Sequence, residues 1–144
     1  MEKGANMNDI YYRSLVRRTF PAARYWGAGL SNLQRADGIV WATLTLEARK
    51  ASGYGGNDDA DLINVVSSID ESDITMMFVE QKKGTVKVSW RASRPQIDVS
   101  DIAVQFGGGG HKAAAGAEVD GNLPEVQERV LAVTRNILKN QIGN

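Results

Sequence analysis

The strongest chemical signal in this sequence is the stretch Phe106–Gly116 (FGGGGHKAAAG), where four consecutive glycines, Gly107–Gly110, lead directly into His111, the only histidine of the chain. Glycine loses more conformational freedom on folding than any other residue, so four in a row carry a large entropic cost. One of them, Gly107, suffices to end a preceding helix in the left-handed conformation. The others predict a backbone that approaches an anion closely with its N–H groups. Tight packing of backbone against backbone, without a ligand, is the alternative.

His111 and Lys112 extend this candidate anion site. A histidine ring can donate a hydrogen bond to an anionic oxygen, and the charge of the acceptor makes this bond stronger than one between neutral groups. We expect Lys112–Ala115 to form one helical turn, whose N-terminus would direct its N–H groups and positive dipole end at the same anion. The loop has neither the G-x-G-x-x-G spacing of dinucleotide-binding folds nor the GK[ST] of a P-loop. No G-x-S-x-G sequence supports a serine hydrolase.

A second candidate surface lies on a strand predicted at residues 84–91 (GTVKVSWR), because successive side chains of a strand point to opposite faces. One face carries the apolar side chains, Val86, Val88 and Trp90. The other carries the polar side chains, Lys87, Ser89 and Arg91. A cationic, hydrogen-bonding face opposite an apolar one is typical of an anion-binding sheet, and equally of an ordinary solvated strand.

Composition indicates one globular domain: 144 residues, 42% of them apolar and 24% charged. The absence of cysteine excludes disulfides and thiolate metal sites, and a single histidine leaves little for a histidine-rich metal centre. We therefore expect no metal ligands in this chain. We find neither an apolar run of about 18 residues nor an apolar signal region near the start, which favours a cytoplasmic location without membrane contact.

The net charge of zero conceals three blocks of like charge. Residues 10–36 hold five arginines and no acid, residues 51–81 hold seven acids and no base, and residues 82–94 hold five bases and no acid. Basic blocks can form a local anion-attracting surface even on a neutral protein. They can also pair with the acidic block as solvated faces, and the sequence leaves both interpretations open.

Periodicity predicts an α/β fold with a mixed sheet of about five strands, helices on both faces and the glycine loop at the substrate cleft. The strands are expected at residues 39–45, 73–80 and 84–91 and from 117 onward. The helices are expected at residues 8–20, 22–34 (after Pro21), from Asp58 or Asp59 to Ile69, 98–106 (capped by Asp98), and about 122–140. Candidate buried positions in the first two helices are Leu15, Val16, Phe20, Trp26, Leu30 and Leu33.

The sequence resembles the C-terminal substrate-binding (DHH-associated) domain of the DHH phosphoesterase family. GGGGHKAAAG matches the family pattern G-G-G-G-H-x-x-A-A-G, and VSWRASRPQIDVSDIAVQF is similar to the segment that precedes it in family members. The family commonly has Ser-x-Arg-Ser at the strand end, and here the second serine is replaced in Ser89-Trp90-Arg91-Ala92. The likeness is strong over residues 38–138. Residues 1–36 are similar to the helical region that connects the two domains of complete enzymes, which leaves residues 37–144 as the substrate-binding domain.

The resemblance implies a two-domain enzyme whose N-terminal domain binds divalent metals, usually Mn²⁺ and alternatively Mg²⁺, through a set that includes an Asp-His-His signature. That signature is absent from these 144 residues. Hydrolysis would need the catalytic domain as a partner, because a two-metal site activates the water and stabilises the leaving oxygen. Within the chain we therefore expect substrate-binding residues and no catalytic ones.

Carried over by the resemblance, Gly107–Gly110 would approach the substrate phosphate, and His111 would contact it near the metals of the catalytic domain. Arg91, helped by Ser89, would bind a terminal phosphate or nucleotide, a task suited to a planar guanidinium. Arg94 and Lys112 are added for their proximity in sequence. Family substrates include short oligoribonucleotides, 3′-phosphoadenosine 5′-phosphate, single-stranded DNA ends and cyclic dinucleotides, and the small size favours the oligoribonuclease and phosphoadenosine-phosphate phosphatase branch.

Two other classes of function remain open. A stand-alone nucleic-acid-binding module is possible, since alanyl-tRNA synthetases have a similar C-terminal domain with a glycine-rich loop. His111 favours the phosphoesterase, because that synthetase branch usually has no histidine directly after the glycines. A domain that only dimerises would have no affinity for anions.

Overall fold

A six-stranded mixed sheet organises residues 18–143, the part of the chain that the computed structural model describes. The strand order is β1-β2-β3-β4-β6-β5, with β2 and β3 parallel and the other four neighbouring pairs antiparallel. The strands are β1 Gln34–Ala36, β2 Ile39–Leu44, β3 Ile74–Glu80, β4 Thr85–Ala92, β5 Gly109–Gly110 and β6 Ala114–Asp120. The predicted α/β fold with a mixed sheet is confirmed. The strands that the sequence did not reveal, β1 and β5, are too short to show an alternating pattern.

Helices lie on both faces of the sheet, as the periodicity predicts. They are α1 Phe20–Ser31, α2 Leu46–Ser52, α3 Leu62–Val66, α4 Ser100–Ala103 and α5 Leu123–Ile142. A 3-10 turn, Val104–Phe106, continues α4 and ends at Gly107, whose φ of 79° is the left-handed cap that the sequence predicts. In the part of the chain that is described, no helix has the length and apolarity to cross a bilayer.

The two faces of the sheet are buried to different extents. On the first face, one continuous core runs from β2 to β6 and is covered by α4 and α5. On the second face, the core consists of β2 and β3 side chains covered by α1 and α3, and within residues 18–143 it includes nothing from β4, β5 or β6. Since β2 and β3 are buried on both faces, they are almost uninterrupted apolar runs. The second face over β4, β6 and β5 is left open.

The helix predicted at residues 22–34 begins and ends earlier than expected. It is α1, which has Pro21 in its first turn, where a missing N–H costs nothing, and Thr19 caps that turn by accepting from the Ala22 N–H at 3.2 Å. Phe20 and Leu30 were expected to be buried and are exposed, because α1 packs through Ala22, Tyr25 and Gly29 instead. Residues 8–17, with Leu15 and Val16, lie outside the described residues.

The helix expected from Asp58 or Asp59 to Ile69 is shorter than predicted. It spans Leu62–Val66, and its capping chemistry comes from Asp59, whose carboxylate accepts from the N–H groups of Asp61 and Ile63 at 2.9 Å. The division at residue 36 stays a prediction, although β1 pairs with β2 across that boundary.

Trp90 generates a prediction about stability. The side chain is fully buried, and its indole N–H donates to the Thr134 hydroxyl, also fully buried, at 3.1 Å. Thr134→Val should lower the free energy of unfolding by about 1–3 kcal/mol, because a buried donor loses its partner. In a Trp90→Phe background, Thr134→Val should lower the free energy of unfolding by less, since the indole donor is then absent. Urea denaturation of the wild type, the two single variants and the double variant measures both losses. Equal losses in the two backgrounds would contradict the assigned hydrogen bond.

Candidate functional site

Two predicted site residues lie in one row across three strands of the open face. Arg91 on β4 is opposite Ala114 on β6. Ala114 in turn exchanges two hydrogen bonds with His111, of 2.8 Å and 3.2 Å. Directly opposite residues of antiparallel strands point to the same face, so Arg91 and His111 share the open face with their backbones about 10 Å apart, two strand spacings. Arg91 is half-buried and His111 is exposed.

The neighbouring row is nearly free of side chains. Ser89 on β4 is opposite Gly116 on β6, and Gly116 is opposite Gly109 on β5. Two glycines therefore leave bare backbone between the Ser89 hydroxyl and the edge of the sheet. A ligand can contact this glycine floor without displacing a side chain.

One wall of the open face is formed by residues 57–64, which lead into α3. Asn64 accepts from Arg91 Nη1 through its Oδ1 at 3.0 Å. At the other end of the wall, Gln81 donates to the Asn57 carbonyl at 2.9 Å. Sequence reasoning missed Asn64, because nothing in the local pattern places it beside a residue 27 positions away.

The electrostatics of the open face are asymmetric. Burial alone would raise the pKa of Asp58, but hydrogen bonds from the Tyr54 hydroxyl and the Ala60 N–H, with the charge of Lys87, hold it below its usual value. The pKa of Glu118, opposite Lys87, is lowered by hydrogen bonds from Thr85 and Lys83. Both carboxylates are therefore ionised at neutral pH near the Lys87 end. An anion is favoured at the Arg91 end.

Three of the four glycines in the loop are required by the backbone. Gly107 has positive φ, and a Cβ on Gly108 would lie 2.1 Å from the Gly116 oxygen. Gly110 has a φ of 147°, and its Cβ would lie 2.6 Å from the Ala114 oxygen. Gly109 differs, because its Cβ would meet nothing within 4 Å. Backbone packing thus explains three glycines, and the fourth is open to a ligand.

Most N–H groups of the loop already have acceptors. The Gly107 N–H donates to the Val104 carbonyl at 3.2 Å, and the Gly108 N–H donates to the Ala103 carbonyl at 2.9 Å. The His111 N–H donates to the Ala114 carbonyl at 2.8 Å. Along an antiparallel pair of strands, hydrogen-bonded residue pairs alternate with pairs that are not hydrogen-bonded. Because His111 and Ala114 are hydrogen-bonded, Gly109 and Gly116 are hydrogen-bonded as well, and the Gly110 N–H between them points away from β6. In this conformation the loop offers no nest of four N–H groups, and the Gly110 N–H is the one that points away from its neighbouring strand.

The helical turn predicted at Lys112–Ala115 is wrong. Ala114 and Ala115 belong to β6, and Lys112 and Ala113 form the tip of the hairpin that His111 and Ala114 close. The hydrogen bonds of strand pairing outweigh the helical preference of three alanines, because tertiary context overrides intrinsic propensity. No helix dipole is therefore directed at the site from this segment.

The two residues added for proximity are the least suited to bind a ligand. Arg94 forms an ion pair with Asp73 at 2.6 Å, so its charge is already balanced. Lys112 is exposed at the hairpin tip, on the side of Asp98. The pKa of Asp98 is lowered first by the Ser100 hydroxyl and also by the charge of Lys112.

The described residues form no site for the divalent metals that the family resemblance assigns to the catalytic domain. No group of three or more histidine, cysteine, aspartate or glutamate side chains is placed to bind a metal anywhere in residues 18–143. The carboxylates of Asp58 and Asp59 accept hydrogen bonds from backbone N–H groups of their own loop instead.

Comparison with known proteins identifies the family. A model described as the DHHA1 domain matches residues 46–140, the part of the chain that contains α2 to α5, the open face and the glycine loop. The chain belongs to the DHHA1 domain family, which confirms the family expected from the glycine-rich motif.

The relatives are larger than this chain. A bifunctional oligoribonuclease and PAP phosphatase NrnA from Thermus thermophilus is 34% identical over 97 residues, which are 66% of this chain and 29% of that protein. Its namesake from Mycoplasma genitalium is 31% identical over 83 residues, 58% of this chain and 25% of that protein. An exopolyphosphatase-related protein from Bacteroides fragilis has a similar structure, with a TM-score of 0.78 and 25% identity over 96% of this chain and 40% of that one. The chain thus spans less than half of each.

The glycines generate a paired prediction. Gly108→Ala should lower the free energy of unfolding by about 1–3 kcal/mol or more, because its Cβ must displace backbone. Gly109→Ala should change it by less than about 0.5 kcal/mol, because its Cβ projects into open space. Thermal or urea unfolding of both variants measures the difference. Comparable losses would show that Gly109 is also fixed by packing.

Proposed function

We propose that this chain is the substrate-binding part of a metal-dependent DHH-family phosphoesterase that acts on short oligonucleotides or phosphorylated nucleotides. The observation that carries the proposal is the row of Arg91 and His111 on an open sheet face, beside a floor of bare backbone at Gly109 and Gly116. A cation, a hydrogen-bonding ring and an unobstructed floor suit a phosphorylated nucleotide. Membership of the DHHA1 family and two relatives named as oligoribonucleases support it.

Each residue has a specific part in this proposal. Arg91 binds the terminal phosphate with the guanidinium N–H groups that Asn64 leaves available, and the Ser89 hydroxyl supports it. The Gly110 N–H and the Gly109 backbone contact the sugar-phosphate chain. His111 donates to the phosphate that undergoes hydrolysis, at the side of the site where the catalytic domain closes.

The reaction itself would take place in a separate DHH catalytic domain that holds Mn²⁺ or Mg²⁺. Such metals activate water and neutralise charge on the leaving oxygen. This chain supplies the orientation of the substrate, since residues 18–143 hold no cluster of histidine and acids placed to bind a metal.

A metal-free titration tests the binding role. A 5′-phosphorylated diadenylate should shift the NMR amide signals of Arg91 and of residues 107–111, whereas the unphosphorylated dinucleotide should bind far more weakly. Arg91→Ala should weaken the phosphorylated ligand by about 1.5–3 kcal/mol, the value of a charged hydrogen bond. Arg129→Ala is the matched control, because Arg129 lies on α5 at the other face of the sheet.

Equal binding of both dinucleotides, or equal losses in the two arginine variants, would contradict the phosphate role. An unmoved glycine loop would favour tight packing as the reason for the glycines.

The division of labour gives a further prediction. The 144-residue chain with Mn²⁺ should release no product from 5′-phosphorylated diadenylate, as judged by chromatography, because its sequence has no Asp-His-His signature and residues 18–143 hold no cluster of metal ligands. Hydrolysis that required Mn²⁺ and disappeared in His111→Ala would place catalysis in this chain and refute the proposal.

A further inference from the structure

A cavity of about 830 Å³ lies between α2 and the glycine-rich loop Gly53–Asn57, away from the glycine floor. This volume is in the range of pockets that hold small organic ligands, roughly 300–1,000 Å³. Three cations line it: Arg49, Lys50 and Lys82. No part of the proposed function uses these residues.

The lining of this cavity is positively charged. It contains no acidic residue. Among the residues that the structure describes, none of the three cations forms an ion pair. Two neighbouring acids bind neutral donors rather than any of these cations, Glu80 the Leu46 N–H at 2.9 Å and Asp58 the Tyr54 hydroxyl at 2.5 Å.

Arg49 is held in place at the cavity. The side chain is half-buried, and Nη1 donates to the Gly56 carbonyl at 3.1 Å. A guanidinium has five N–H donors, so this single bond fixes its position and leaves donors for a ligand. A fixed, planar guanidinium matches the geometry of a phosphate group.

The loop beside Arg49 is held by contacts with the rest of the fold. It also contains one glycine that the backbone does not require. Gly53 has a φ of 81°, and a Cβ on Gly56 would lie 2.7 Å from the Tyr54 hydroxyl oxygen. Gly55 would meet nothing within 4 Å, as at Gly109. Tyr54 stacks on Tyr25 with ring centroids 4.9 Å apart, and Gln81 binds the Asn57 carbonyl. The loop thus offers exposed backbone in a supported position.

We propose that this cavity is a second phosphate-binding site, for a phosphorylated ligand of nucleotide size. Arg49 binds the phosphate directly, and Lys50 and Lys82 add charge at the rim. The ionised Asp58 lies on the chain next to Asn57 and near Lys87. A carboxylate therefore stands between this cavity and the open face, which makes them two separate sites. The proposal does not depend on the function proposed for the open face.

The test is a titration of the 144-residue chain with inorganic pyrophosphate and with ADP, followed by NMR and calorimetry. Both ligands should shift the amide signals of Gly53–Asn57 at about 1 mM, the weak end of specific binding. The double variant Lys50→Gln with Lys82→Gln should weaken both by about tenfold or more, because two charged contacts are lost. Arg129→Gln with Lys139→Gln removes the same charge from α5 and should change affinity by less than about twofold.

The variant Arg91→Ala tests whether this site is independent of the open face. Its affinity for pyrophosphate, followed at Gly53–Asn57, should be unchanged. The proposal is overturned if neither ligand shifts this loop, if the two double variants lose affinity equally, or if Arg91→Ala abolishes the shifts.

The phosphate that binds in this cavity belongs either to a longer oligonucleotide that also occupies the open face or to a free nucleotide. Oligonucleotides of two lengths distinguish these two sources. In the first case, 5′-phosphorylated tetra-adenylate shifts the amide signals of both sites and binds more tightly than the diadenylate. The gain in affinity is then lost in the double variant of Lys50 and Lys82, because the cavity binds a distal phosphate of the same oligonucleotide. If pyrophosphate and ADP bind there and length has no effect, it binds a free nucleotide. Each result supports a phosphate site.

Discussion

The close approach of β5 to β6 is the constraint on which the open face depends. Gly108 and Gly110 leave no room for a Cβ against the backbone of β6, so only glycine permits this pairing. The pairing closes the hairpin between His111 and Ala114 and sets His111 in the row of Arg91. A slip of one residue would turn the histidine to the other face, because side chains alternate. Glycines needed for packing thereby also fix the place of the histidine.

The position of the arginine depends on the other side of the sheet. Trp90 and Val88 are anchored in the first core, which obliges Arg91 and Ser89 to point to the second face. The second core ends at β3, so that face of β4 meets only the wall of residues 57–64, which is the loop before α3 and its first turn. Trp26 donates to the Ala60 carbonyl at 2.9 Å and ties this wall to α1. The open face is the part of the sheet that the helices leave uncovered.

The sequence predicts those parts whose pattern is long enough to be periodic. The alternation of Val86, Val88 and Trp90 correctly places β4 and its buried face, and the helix expected at about 122–140 is α5. β5 is two residues long and made of glycine, so it has no side chains from which to predict it. Ala114 and Ala115 have local helical preference, which pairing with β4 overrides. Asn64 reaches Arg91 only through the tertiary fold.

The identity of the Arg91 partner decides whether the site attracts anions. Arginines from both basic blocks pair with the acidic block: Arg18 with Asp61, Arg35 with Glu71 and Arg94 with Asp73. Arg91 instead binds the neutral amide of Asn64. A carboxylate at position 64 would hold the guanidinium more firmly but cancel its charge, whereas an amide orients it and leaves the charge for a ligand. Three arginines of the basic blocks are thus balanced by surface ion pairs, while Arg91 keeps its positive potential on the open face.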